Sequence, residues 1–146
     1  MFLNELNKNE ALAFVNLVKK FATVDEVFAK EEKELIDDYI EELNLKNLEI
    51  ANEALEVSVN TLKSSSNRNK NIVFFELVGL ALVDGNYDEK EIVFLNNLAK
   101  DFGIDEIKVN SYINFFHEVQ LLYTVTFSNV EEKIEELKNK ANALLA

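Results

Sequence analysis

The 146-residue chain contains no cysteine and no proline, and only three glycines. Lacking cysteine, it cannot form disulfides, thiolate nucleophiles or cysteine-based zinc and iron–sulfur sites. Strand-rich sandwiches need many glycines and prolines for their turns, so this composition favours helices. Long apolar runs are missing too. The longest, "LVGLALV" at residues 77–83, falls far short of the roughly 20 residues that span a bilayer. The opening "MFLNELNKNE" carries charges and asparagine where a signal peptide needs an apolar core. Positive charge is scarce: 15 Lys and Arg stand against 27 Asp and Glu, for a net charge of -12. Nucleic acid and anionic membrane surfaces need a basic face, so both are disfavoured as partners. A cationic partner, a metal ion or plain solubility of a solvated acidic surface fits better. These features predict a cytoplasmic, water-soluble protein.

What is present is bulk. Hydrophobic residues make up 48% of the chain, including 11 Phe, enough for one substantial core in a single domain, 1–146. Apolar positions recur at helical spacing almost throughout. Leu35, Ile36, Tyr39, Ile40 and Leu43 form one stripe, and Ile92, Leu95, Leu98, Ala99 and Phe102 another. Val130, Ile134, Leu137, Ala141 and Leu144 mark a closing helix over 130–144, opened by the capping box Ser128-x-x-Glu131. Residues 72–83 are apolar nearly all round, as in a helix buried at the centre.

The polar stretch "SSSNRNK", residues 64–70, reads as a connector between two similar halves. A shift of 59 positions lays Asp25 on Asp84, Glu32 on Glu91 and Phe28 on Tyr87 without a gap. Asn44 then lies on Gly103, the two residue types that best tolerate the left-handed conformation ending a helix. The alignment predicts two related three-helix units over 12–63 and 71–122. Their helices are expected near 10–23, 29–43 and 47–63, then 71–84, 88–102 and 105–122. With the closing helix, the fold class is an all-α, seven-helix bundle. "QLLYTVTF", residues 120–127, has strand-like propensity but no partner strand, and reads as helix end plus loop.

The recurring Asp/Glu pairs are the candidate site. Asp84, Asn86 and Asp88 match the first, third and fifth positions of an EF-hand loop. Glu89 and Leu95 then stand where that loop needs glycine and a bidentate glutamate, so the motif fails. Asp88-x-x-Glu91 also reads as a capping box, with Gly85 ending the preceding helix. In the first half Ala29 replaces the cap and Glu26 the glycine, yet Asp25 and Glu32 remain, which capping alone does not explain. No phosphate loop or nucleophile motif occurs, and His117, the sole histidine, sits beside Phe115 and Phe116 as an ordinary helix residue. The reading is non-enzymatic.

"ALVDGNYDEKEIVFLNNLAKDFGI", residues 81–104, resembles the signature of the TerB-like family of tellurite-resistance proteins. The match rests on Asp84, Gly85 and Glu91, more weakly on Asp25 and Glu32, and extends over about residues 10–122. The resemblance implies a pseudo-symmetric helical bundle, an acidic surface that engages metal ions, and a role in stress response and chemical defence. A related domain occurs in J-domain co-chaperones. It makes Asp25, Glu32, Asp84 and Glu91 candidate ligands for a divalent cation such as calcium, magnesium or manganese. The alternatives are capping carboxylates and a metal-independent adaptor that meets a basic protein.

Overall fold

The computed structural model describes residues 2–24, 32–46, 53–83, 89–124 and 130–146. Those residues form a short 3-10 turn, Leu3–Glu5, and seven α-helices, with no strand among them. The helices are α1 (Lys8–Ala22), α2 (Glu32–Glu42), α3 (Leu55–Lys63), α4 (Asn67–Val83), α5 (Glu89–Phe102), α6 (Glu106–Thr124) and α7 (Val130–Leu144). The all-helical expectation holds. No described helix is long and apolar enough to cross a membrane.

Helix α1 starts where its local chemistry dictates. The Asn7 side chain accepts from the Glu10 backbone N–H at 2.9 Å, and the Glu10 carboxylate accepts from the Asn7 N–H at 2.9 Å. This reciprocal box satisfies two N–H groups that the first turn leaves without helical partners. Helix α4 begins the same way 59 residues on, where the Ser66 hydroxyl accepts from the Asn69 N–H at 3.1 Å. It therefore opens inside the expected connector, because the serine run supplies a cap and Asn67 to Lys70 become the first helical turn.

The ends of α2 and α5 repeat each other in more detail. Asn44 (φ 57°) and Gly103 (φ 69°) are both left-handed, as the alignment expected. Leu45 N–H donates to the Ile40 carbonyl and Ile104 N–H to the Ala99 carbonyl; Asn44 and Gly103 donate to Glu41 and Lys100. Both sets are Schellman closures, and in each the residue after the left-handed one, Leu45 or Ile104, is buried.

Within each half the first helix is central: α1 packs on α2 and α3, and α4 on α5 and α6. Contacts between α3 and α5 join the halves, and α7 lies on α6. Residues 71–82 are buried except Glu76, as the apolar run predicts. Fully buried rings, among them Phe14, Phe21, Phe74, Tyr112 and Phe115, fill the core. Each large-to-alanine change there is expected to cost about 3–5 kcal/mol.

The third helices differ between halves. Of the span expected as a helix over 47–63, α3 takes up Leu55–Lys63, with Ala54 before it extended (ψ 147°); residues 47–52 lie outside the described residues. Helix α3 thus has 9 residues and α6 has 19. Helix α6 also runs on to Thr124, taking the first part of the strand-prone stretch into its last turn.

Candidate functional site

The two acidic turns connect α1 to α2 and α4 to α5. Helix α1 stops at Thr23, whose hydroxyl donates to the Lys20 carbonyl at 2.7 Å and whose N–H donates to the Lys19 carbonyl. Lys19 and Lys20 complement the carbonyl end of that helix. Asp25 and Asp84 lie outside the described residues, as do Gly85, Asp88 and Ser128 of the expected caps. Glu32 is the first residue of α2, and its side chain is likewise outside them. Of the four candidate ligands, Glu91 alone has a described side chain. Among the described residues, no group of three or more His, Asp or Glu side chains is placed to hold a metal.

Glu91 is the third residue of α5 and is only 3% exposed. Its position matches that of Glu10, the third residue of α1, which is 5% exposed. Burial pushes the Glu10 carboxyl up, but hydrogen bonds from Ser65, the Asn7 backbone and Asn69 outweigh it and hold it below the usual range. The Asn69 amide donates to both Glu10 oxygens, at 3.0 and 3.2 Å, tying the start of α1 to the start of α4. Glu10 shows what a buried third-position glutamate does here: it closes its own helix and reaches a neighbour.

The end of α1 and the start of α5 lie close together. Phe21 of α1 packs edge-on against Phe94 of α5, with centroids 5.4 Å apart. Just beyond, Thr23 and Val24 line a cleft of about 530 Å³ with Glu89, Lys90 and Val93. The residue preceding Asp25 and the residue following Asp88 therefore open onto the same cleft. Lys90 places one of the chain's own cations there.

Two acidic features escaped the sequence reading. Tyr39 of α2 donates to Glu76 of α4 at 3.0 Å. Burial, with the Glu76 and Glu42 carboxylates beside it, pushes the Tyr39 phenol strongly up, so it stays a donor. The available signal was that Glu76 is the one charged residue in the apolar run 72–83. The second is the outer face of α2, where Glu34, Asp37, Asp38, Glu41 and Glu42 are all exposed. Among the described residues Lys46 offsets part of it, 3.6 Å from Glu41. His117 is exposed on α6. A separate groove of about 560 Å³ between α5 and α6, floored by Ile92, Ala99 and Val109, contains none of the candidate residues.

No family model, curated protein or solved structure matches the chain.

Proposed function

We infer that the chain is a non-enzymatic, TerB-like helical module of the cytoplasm, serving stress response or chemical defence by binding a divalent cation through its two acidic turns. The ligands in this reading are Asp25, Glu32, Asp84 and Glu91, and the halves are pseudo-repeats. What carries it is the shared cleft at the ends of α1 and α5, which draws the lead-in of one acidic turn beside the lead-out of the other. Matched caps and matched Schellman closures at a constant shift support the repeat. Like charges drawn together raise one another's pKa unless a cation compensates, and a hard ion with oxygen ligands is the natural one. Thermal melts at matched ionic strength test this. Calcium, magnesium or manganese at millimolar concentration should raise Tm, and Asp84→Asn with Glu91→Gln should abolish the rise. If none of the three ions moves the wild-type melt, the cation reading fails.

The second reading, a metal-independent adaptor for a basic protein, is favoured by the five exposed carboxylates along α2. It predicts a basic partner that co-purifies with the wild type and is lost on Asp37→Asn with Asp38→Asn, with no effect of divalent ions.

A further inference from the structure

The groove between α5 and α6 is ordered along its length. Residues 103–105 join the two helices, and each of the two packs on α4. Nearest the join stand Lys100 on α5 and Glu106 on α6, and one helical turn further out stand Asn96 and Asn110. Ile92 and Ile113 follow, both half-buried, and buried Ala99 and Val109 floor the space of about 560 Å³. The groove thus runs from a pair of opposite charges, through a pair of amides, to a pair of aliphatic side chains.

The fold itself leaves the four polar groups free. Asn96, Lys100, Glu106 and Asn110 are all exposed, and their side chains make no hydrogen bond or ion pair to another described residue. Asparagine carries a donor and an acceptor side by side, which matches the edge of one residue of extended backbone. An extended residue turns its N–H and its C=O to the same edge, and the next residue turns its own to the other. Two asparagines on opposite walls can therefore hold successive residues of one strand-like segment by its two edges, while alternate side chains reach the aliphatic floor. A helical segment offers no such match, because its N–H and C=O groups are bonded within it.

We propose that this groove binds an extended peptide segment of a partner protein, gripped through its backbone by Asn96 and Asn110. Aliphatic side chains at alternate positions of the segment rest on Ile92, Val109 and Ile113. The charges at the joined end set its flank, which presents an acidic group to Lys100 and a basic one to Glu106. The groove contains none of the acidic-turn carboxylates, so the peptide is held independently of any cation.

A random peptide library selected on the immobilised full chain supplies the probe. Enriched peptides should carry aliphatic residues at alternate positions and bind the wild type saturably. Asn96→Leu and Asn110→Leu keep the side-chain size at exposed helical positions but remove the paired donor and acceptor. Each should weaken binding about 10-fold, whereas Asn97→Leu, at the neighbouring exposed position, should leave it unchanged. N-methylation along the peptide removes one backbone donor at a time and needs no protein variant. It should weaken binding to the wild type at two successive positions. Failure to enrich any peptide overturns the proposal. So does binding that both leucine variants leave intact, or a circular dichroism difference showing that the bound peptide is helical.

Discussion

Two of the glycines show how one residue type meets two different physical demands. Gly103 ends α5 at φ 69°, and a Cβ there would meet nothing within 4 Å. Its requirement is purely conformational, so Gly103→Ala should cost about 1–2 kcal/mol, the penalty for a left-handed residue with a Cβ. Gly79 is helical, and a Cβ there would lie 2.7 Å from the Phe116 ring. Alanine gains about 1 kcal/mol of helix propensity, but the ring must shift in a packed seam, and overpacking costs about 1–3 kcal/mol. Gly79→Ala should therefore be destabilising or at best neutral, whereas propensity alone predicts the opposite. Denaturant unfolding of both variants separates the two causes. Glu10 makes a third residue-scale prediction. Its carboxyl lies below the ordinary value in the folded state, so on acidification the unfolded chain takes up this proton first. The stabilisation is fully present above the unfolded glutamate range, near about 4.3, and is lost as pH falls through the folded value. Glu10→Gln should flatten the acid limb of the stability curve relative to wild type.

At the scale of elements, helix ends are the parts most alike in the two halves. Asn7 and Ser66 occupy matched positions before α1 and α4, and each accepts an N–H from three residues on. Loss of such a cap costs about 1 kcal/mol. Asn7→Ala should cost more than Ser66→Ala, because Asn7 belongs to a reciprocal box whose Glu10 also braces Asn69. Calorimetric or urea unfolding of the two variants and their double would show it. Their coupling should exceed that of independent sites, since Glu10 and Asn69 link the two helix starts. Arg68 makes a comparable tie over a longer range. It bonds both Glu5 oxygens at 2.8 and 3.0 Å, reaches Asn142, and lies over the Phe2 ring. One side chain thus gathers the first turn, the start of α4 and the last helix.

For the whole molecule the dominant fact is a charge of -12 on 146 residues. Self-repulsion of that size destabilises a compact state, and salt screens it over about 10 Å at 0.1 M. Raising monovalent salt from about 0.01 to 0.5 M should therefore raise Tm, and variants that neutralise the α2 carboxylates should show a smaller rise. The same experiment is the baseline against which a divalent effect has to be read. A site-specific ion must act at matched ionic strength, whereas screening cannot.

What this chain's sequence determined by itself is local. Helix period and the left-handed closures at Asn44 and Gly103 depend on residues within four or five positions of one another. Such short-range preferences can be read without knowing the rest of the chain, so the number of helices and most of their described ends were legible. The fold decided what depends on distant neighbours. It placed Tyr39 against Glu76 and drew the end of α1 beside the start of α5. It also set the donors of α4 and α6 on the carbonyls of α7. Helical periodicity tells which face of a helix is apolar, but not which other helix that face meets. The cleft beside the end of α1 and the start of α5 therefore came from packing, through the contact of buried Phe21 with half-buried Phe94.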